Sequence, residues 1–248
     1  MKVSSLLSGI PLSVIALAAP LSAIKREAAL SGNWAGLTLS GSNLSAATGT
    51  FTVPHVIKMP AGGNPDNEYS GAAWVGIDGF KCKESNGGGS ILQTGIYWSF
   101  KKHDAKDLAV YAWFEWYPKP MVLWPSGEMS VHPGDLIKAT VQATSLTSGI
   151  AIIENLTTKK TATHAFSGMK ALCHETAECI VEKFDSEHDA DNFADFGTLE
   201  FSNAYATLAI GHAPTVVDTQ IWNIWRDNKP LTDCKILGPT NIACTYLK

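Results

Sequence analysis

Short apolar runs recur along almost the whole chain, and turn-forming residues separate them. These runs are rich in β-branched and aromatic residues, which favour strands, whereas Gly, Pro and Asn favour turns. No long segment has the 3.6-residue apolar stripe of an amphipathic helix. The pattern predicts an all-β sandwich or barrel. We expect strands at residues 37–40, 49–54, 72–77, 90–100, 108–117, 127–131, 135–145, 148–155, 161–166, 179–184, 198–204 and 215–225.

Length and charge limit the number of domains and the classes of partner. The chain has 248 residues, a formal net charge of −4 and 17% charged residues. All-β folds of this size are often single domains, and the chain has no internal repeat or low-complexity tract. A mildly acidic surface argues against nucleic acid or an anionic membrane as a partner. We therefore expect one folded domain that is a monomer.

The N-terminus has the features of a secretory signal peptide. Lys2 precedes an uncharged apolar run at residues 6–19, which ends in small residues suited to a signal peptidase. Pro11 interrupts the run, which is too short to span a bilayer. The alternatives are a membrane anchor or a buried helix. We predict a signal peptide at residues 1–18, ending no later than residue 23, and therefore secretion to the extracellular space.

A dibasic pair, Lys25-Arg26, follows the predicted signal peptide. It is either a second processing site or an ordinary exposed charged pair, and the sequence leaves the two alternatives open. We assign residues 19–32 to a short pro-segment or linker, and residues 33–248 to the folded domain.

The five cysteines predict disulfides, because an exported chain meets an oxidising compartment. Cys234 and Cys244 flank a turn and form our first predicted pair. Cys82 with Cys173 is the second, which leaves Cys179 as a free thiol. Closing such loops stabilises a fold by roughly 3–5 kcal/mol in a chain-entropy model.

Two Asn-x-Ser/Thr sequons, at Asn43 and Asn155, are candidate glycosylation sites in an exported chain. Such triplets also arise by chance. Both sites are therefore predictions that depend on the exposure of the asparagine.

Several kinds of catalytic site are missing from the sequence. There is no Gly-x-Ser-x-Gly elbow, no His-Glu-x-x-His zinc motif and no Asp-Thr/Ser-Gly motif. Cys179 lacks the flanking sequence of known cysteine peptidases, and the histidines show no metal-ligand spacing. We expect no metal and no cofactor. A hydrolase built from this chain would have to use carboxylates, amides and water.

Blocks of sequence distributed over nearly the whole predicted domain resemble those of the fungal glutamic peptidases, or eqolisins. Their joint occurrence in family order is more specific than any single block. The resemblance implies an antiparallel β-sandwich of two large sheets, a concanavalin-like jelly roll. It also implies an endopeptidase that acts on proteins or peptides. The matching blocks lie at residues 33–36, 51–54, 73–79, 91–95, 111–118, 154–158, 172–173, 177–184 and 194–197.

The resemblance assigns catalysis to Gln93 and Glu182. An ionised Glu can take a proton from water as general base and return it to the leaving amine. The Gln amide can hold this water and donate to the developing oxyanion. The unperturbed pKa of Glu, about 4.3, is our reason to expect an acidic working pH. Without the resemblance, each residue would be read as an ordinary surface residue of a strand.

The resemblance also places Trp74, Asp78 and Glu115 around the substrate or as hydrogen-bonding support. The alternatives are core packing for Trp74, a turn-forming Asp before Gly for Asp78, and a buried structural acid for Glu115. Insensitivity to pepstatin is a further implication. Tyr111 departs from the family pattern, in which the equivalent residue is acidic, and so does the short segment before Asn33.

Two other functions are compatible with the pattern. An aromatic-rich sandwich that binds or cleaves carbohydrate could draw its carboxylates from Glu115, Glu178 and Glu182. A catalytically silent relative would keep the fold and bind a partner. The presence of both Gln93 and Glu182 argues against the silent relative. The ordered blocks argue against the carbohydrate protein, because a glycosidase has no special need of Gln93.

Overall fold

The computed structural model describes residues 14–16, 27–55, 57–80, 89–101, 108–183, 192–208 and 218–247. Within these ranges the regular elements are strands, with no helix. The strands are β1 (Val14–Ala16), β2 (Ala29–Ser31), β3 (Trp34–Ser40), β4 (Leu44–Thr52), β5 (Glu68–Ile77), β6 (Ile91–Lys101), β7 (Ala109–Tyr117), β8 (Val122–Leu123), β9 (Leu136–Ser145), β10 (Ser148–Asn155), β11 (Lys160–Phe166), β12 (Thr176–Glu182), β13 (Thr198–Leu208), β14 (Asp218–Arg226), β15 (Lys229–Pro230), β16 (Thr232–Gly238) and β17 (Asn241–Tyr246).

The strands form two sheets that pack face to face. The first sheet has the order β11-β10-β9-β4-β13-β17-β16, with β1 added to β13. The second has the order β15-β14-β3-β12-β5-β6-β7-β8, with β2 added to β14. β2 and β14 are parallel, and the other described strand pairs are antiparallel. This confirms the predicted all-β sandwich of two large sheets.

The main core lies between the sheets. Side chains alternate along a strand, so every second residue of β3, β5 and β12 faces the first sheet. These inward residues are apolar and fully buried, among them Leu37, Leu39, Val75, Cys179 and Val181. Burial of such side chains contributes about 1.5–3 kcal/mol each.

A second, smaller apolar cluster lies on the outer face of the second sheet. Ala72, Trp74, Trp113 and Ile180 form it, and all four are at most 1% exposed. The central strands of this sheet are therefore buried on both faces. Polar side chains beside this outer cluster are desolvated even though they point away from the main core.

The strand predicted at residues 127–131 is absent. Pro125 accepts hydrogen bonds through its carbonyl from the backbone N–H groups of Glu128 and Met129, which makes a turn there. Met129 and Val131 are buried because the irregular segment packs against the core, and this burial produces the apolar pattern. The other predicted strands are present. The strand at residues 148–155 has the predicted ends, the others differ at one end or both, and those predicted at 179–184 and 215–225 extend outside the described residues.

The structure has a disulfide between Cys234 and Cys244. Cys179 is a buried free thiol. Cys173 is also disulfide-bonded, whereas its predicted partner Cys82 lies outside the described residues. Burial raises the pKa of the Cys179 thiol far above its usual value, so the thiol is neutral.

The two predicted glycosylation sites differ in their surroundings. Asn155 is fully buried, and its Nδ2 donates to the Ser130 carbonyl and to Asp135 Oδ2. An N-linked glycan is attached at Nδ2, so this geometry argues against a glycan at Asn155 in the folded protein. Asn43 lies at a partly exposed turn and stays a prediction.

Most of the predicted signal peptide and pro-segment lies outside the described residues. Val14–Ala16 pairs with β13, and Ala29–Ser31 pairs with β14 at the edge of the second sheet. No helix in the described part of the chain is long and apolar enough to cross a membrane.

Candidate active site

The outer face of the second sheet brings the predicted catalytic residues to one side of the molecule. Residues that pair across neighbouring strands project to the same side of a sheet. Glu182 on β12 pairs with Trp34 on β3 and with Ala72 on β5. Gln93 on β6 pairs with Glu115 on β7. Five strands thus supply the polar groups and their immediate neighbours.

Trp74 on β5 occupies the middle of this face, where two glycines make room for it. Gly76 pairs with Gln93, and Gly95 pairs with Trp74 itself. A Cβ atom at Gly76 would lie 2.8 Å from the Trp74 ring, and one at Gly95 would lie 2.6 Å from the Trp74 Cβ. The indole can therefore lie low across the sheet, between the strands that carry Gln93 and Glu182.

Three N–H groups converge on the Glu182 carboxyl. Asn33 Nδ2 donates to Oε1 at 3.0 Å, and Trp34 Nε1 donates to the same oxygen at 3.1 Å. Trp74 Nε1 donates to Oε2 at 2.8 Å. The two indole rings are in edge contact, with centroids 5.1 Å apart. Glu182 is therefore held in one orientation by residues from two strands, β3 with the residue before it and β5.

The charge state of Glu182 follows from a competition between burial and these donors. Burial raises the pKa of Glu182 to about 7, because an ionised carboxylate loses its hydration. The hydrogen bonds from Trp74, Trp34 and Asn33 lower the pKa, and the nearby Glu115 carboxylate raises it. The neutral carboxyl therefore predominates below pH 7, unlike the ionised Glu that we expected from the sequence.

Gln93 and Glu115 form the other half of the site. Gln93 Nε2 donates a short hydrogen bond to Glu115 Oε2. Burial raises the pKa of Glu115, and this hydrogen bond partly offsets the effect. Gln93 is 6% exposed, and its Oε1 is buried without a hydrogen-bond partner. Glu115 therefore holds the Nε2 atom of the Gln93 amide, and the Oε1 atom is left as an unused acceptor.

Asp78 directly follows β5 and is fully buried. Its Oδ2 accepts hydrogen bonds from the backbone N–H groups of Cys173 and His174, at 2.7 and 2.8 Å. Its Oδ1 accepts from the N–H groups of Glu175 and Thr176, at 2.8 and 3.2 Å. The carboxylate holds the segment that leads into β12, and both of its oxygens are occupied.

Glu178 is a second acid on the outer face of β12. It pairs with Thr38 on β3 and Gly76 on β5 and is fully buried. Neither carboxyl oxygen makes a hydrogen bond of normal geometry. Burial raises its pKa well above the usual range, Thr176 partly offsets the effect, and the Asp78 charge adds to it. Glu178 is therefore neutral and too enclosed to reach a ligand.

The donor set of the face suits acid–base chemistry better than metal binding. Within the described ranges, no three His, Cys, Asp or Glu side chains cluster in a way that could hold a metal ion. What the face offers is a desolvated carboxyl, an amide with a free acceptor, and indole N–H donors. Groups of this kind can move protons and stabilise developing charge without a cofactor.

Comparison with known proteins identifies the family. The family model described as Peptidase A4 matches residues 32–246, which is most of the chain. The chain belongs to this family. The family is that of the eqolisins, or glutamic peptidases, and the chain is accordingly a hydrolase of the glutamic endopeptidase type.

Two curated relatives and one solved structure carry the assignment. Aspergillopepsin-2 of Aspergillus niger is 37% identical over 232 residues, covering 88% of this chain and 78% of the relative. Scytalidopepsin B of Scytalidium lignicola is 35% identical over 231 residues, covering 90% and 80%. A structure of scytalido-glutamic peptidase with a transition state analog inhibitor has a TM-score of 0.68 at 31% identity, covering 87% of this chain and 98% of that one.

Three residues of this eqolisin site were not singled out as partners by sequence reasoning. Asn33 and Trp34 lie in a matching block, but the block does not indicate that their side chains reach Glu182, about 150 residues later. Glu178 was read as a possible sugar-site carboxylate. The alternation of β12 does place it on the outer face, but no local signal indicates that this face is covered.

Proposed function

We propose that the protein is a secreted endopeptidase that cleaves peptide bonds of proteins at acidic pH with Gln93 and Glu182. The observation that carries the proposal is the Glu182 carboxyl held by three N–H donors beside an amide with an unpartnered buried acceptor. The carbohydrate alternative loses one of its candidate carboxylates, because Glu178 is fully buried.

Glu182 starts the reaction as a neutral carboxylic acid at acidic pH, since burial raises its pKa to about 7. One carboxyl oxygen gives its proton to the scissile carbonyl oxygen. The other carboxyl oxygen takes a proton from water as the water oxygen attacks the carbonyl carbon. The product is a neutral gem-diol, and the carboxyl is regenerated.

The same carboxyl then breaks the gem-diol down. It gives a proton to the amide nitrogen and takes one from a hydroxyl group of the gem-diol as the C–N bond breaks. The products are a carboxylic acid and an amine. Proton transfer by a positioned group of this kind typically contributes about 10²–10⁴-fold to the rate.

Gln93 orients the reactants. Its unpartnered Oε1 can accept a hydrogen bond from the attacking water, since a buried acceptor without a partner is unfavourable. One proton of Nε2 is used by Glu115, which leaves the second available to the carbonyl oxygen. Glu115 thereby fixes which way the amide points, and so supports the substrate indirectly.

The remaining predicted site residues have positioning roles in this proposal. Trp74 donates a hydrogen bond to the Glu182 carboxyl, and Asn33 and Trp34 complete the set of donors. Asp78 acts through the backbone of residues 173–176. With its oxygens occupied, it supports β12 and leaves direct substrate contact to the other residues.

The test is proteolysis of a denatured protein substrate between pH 2 and 7 by the parent, Gln93→Ala and Glu182→Ala. We expect cleavage by the parent, loss in both variants, and no inhibition by stoichiometric pepstatin. Cleavage that persists in both variants would contradict the site, and a parent that cleaves at no pH would contradict the function.

Secretion is tested separately. Sequencing the N-terminus of protein collected from the culture medium should give a start between residues 19 and 27, because a cut after Lys25-Arg26 leaves Glu27 as the first residue. Retention of the full chain inside the cell would contradict the proposed export.

A further inference from the structure

A pocket beside Glu182 opens on the side away from Gln93. Its volume is about 310 Å³, and Leu30, Trp34, Phe80 and Trp222 provide its apolar walls. Leu30 is 58% exposed and Phe80 is 36% exposed, although both are large apolar side chains. Isolated exposed apolar residues are common, but several that line one concave site indicate a binding surface.

The pocket is continuous with the candidate active site through two shared residues. Asn33 and Trp34 both line it, and both donate hydrogen bonds to Glu182 Oε1. A group that fills the pocket therefore contacts the same side chains that orient the catalytic carboxyl. Ser31 supports this wall, because its Oγ accepts a hydrogen bond from the Trp34 backbone N–H at 3.0 Å.

The chemistry of the lining selects the occupant. None of the described residues that line the pocket carries a charge. Phe80 and Trp222 already make an edge-to-face pair, with ring centroids 4.6 Å apart. Aromatic rings favour such geometry with a further ring, and an apolar wall gives an acidic or basic side chain no partner.

A glycine keeps the floor of the pocket open. Gly79 has φ +105°, and a Cβ atom there would lie 2.6 Å from Ile91 and 3.4 Å from the Trp34 ring. A side chain at this position would be strained and would clash with Ile91. Gly79 therefore contributes backbone alone to the pocket lining.

We infer that this pocket is a specificity subsite that receives an aromatic or large aliphatic side chain of the peptide substrate, close to the scissile bond. The inference rests on the proposed function, since it names what the same site accepts. Because the occupant contacts Asn33 and Trp34, filling the pocket should increase kcat as well as lower KM. Binding energy from a group remote from the reacting bond can then assist the chemical step.

The experiment uses a set of peptides that differ at one position at a time on both sides of the cleaved bond. At one of these peptide positions, the parent should prefer Phe or Leu over Gly by about tenfold or more in kcat/KM. Leu30→Arg places a positive charge at the pocket mouth. It should reduce that preference at least about fivefold at the same position and improve cleavage of the matching Glu peptide.

The matched control is Leu237→Arg. Leu237 is 59% exposed and also lies in a strand, but in β16 of the first sheet. It should leave the preference at every position unchanged. Phe80→Ala is the second pocket variant and should shift the preference from Phe toward the larger Trp. Circular dichroism and the thermal midpoint of each variant establish that it is folded.

The outcomes separate the two proposals. A parent that cleaves peptides while Leu30→Arg and Phe80→Ala alter no positional preference overturns the subsite and leaves the peptidase intact. Equal changes in Leu30→Arg and Leu237→Arg also overturn the subsite. A parent that cleaves no peptide overturns the proposed function, and with it the subsite.

Discussion

Two glutamates on the outer face of β12, Glu182 and Glu178, differ in their hydrogen bonds and in their exposure. Glu182 lies at the end of the strand, where three N–H groups contact its carboxyl. Glu178 lies four residues earlier on the same face, fully buried, with no hydrogen bond of normal geometry. Both pKa values are raised by burial. What distinguishes the candidate catalytic acid is therefore its donors and its partial exposure, and a raised pKa alone does not identify it.

The largest expected effect comes from replacing each acid by its amide. Glu182→Gln removes the acidic carboxyl proton and should lower kcat/KM by about 10³-fold or more, within the usual range for acid–base catalysis. Glu178→Gln preserves size and neutrality and should change kcat/KM less than about threefold. The measurement is peptide cleavage by both variants at one acidic pH. Comparable losses in the two variants would remove the distinction between the ends of β12.

The second largest expected effect comes from removing one of the N–H donors to Glu182. Trp74→Phe keeps most of the ring but removes the N–H that contacts Glu182, and it should lower kcat about 10–100-fold. The matched control is Trp98→Phe, because Trp98 is equally buried and its Nε1 has no hydrogen-bond partner. The control should stay near parent activity. Equal losses in both would assign the role of Trp74 to packing.

The pH profile tests which form of Glu182 is active. With a pKa raised to about 7, the neutral carboxyl is the major form in acid and is lost as pH rises through that value. The profile of kcat/KM should therefore be flat on the acid side and fall about tenfold per pH unit above 7. Trp74→Phe removes a donor that lowers the pKa, so the fall should move to higher pH. A profile that rises up to pH 7 would indicate an ionised general base.

The smallest effect is on stability. A carboxyl whose pKa is higher in the folded state stabilises the fold below its unfolded pKa, and this contribution is lost as pH rises. For Glu182 the window runs from about 4.5 to about 7, which corresponds to roughly 3 kcal/mol. Urea unfolding should therefore show a stability that decreases from pH 4 to pH 8. Glu178→Gln should reduce this decrease, and an unchanged slope would contradict a neutral, buried Glu178.

The sequence predicted the sandwich because strands such as β6, β9 and β10 carry strong local patterns and clear turns. The strand prediction was wrong at residues 127–131, because a buried irregular segment there has the apolar pattern of a strand. The sequence could not predict the partners of Glu182, because pairing of β12 with β3 and β5 is a long-range property. Nor could it predict the raised pKa of Glu182, because that pKa depends on how far the folded protein buries the carboxyl.

The hydrogen bonds of Asp78 fix how β12 is aligned with its neighbours. Four successive N–H groups just before and at the start of β12 converge on one carboxylate at the end of β5. A slip of β12 by one residue would break this set and would turn Glu182 toward the main core, since adjacent residues face opposite sides. Asp78 thus sets the register of β12. A side chain outside the proposed catalytic pair thus decides on which face of the sheet Glu182 lies.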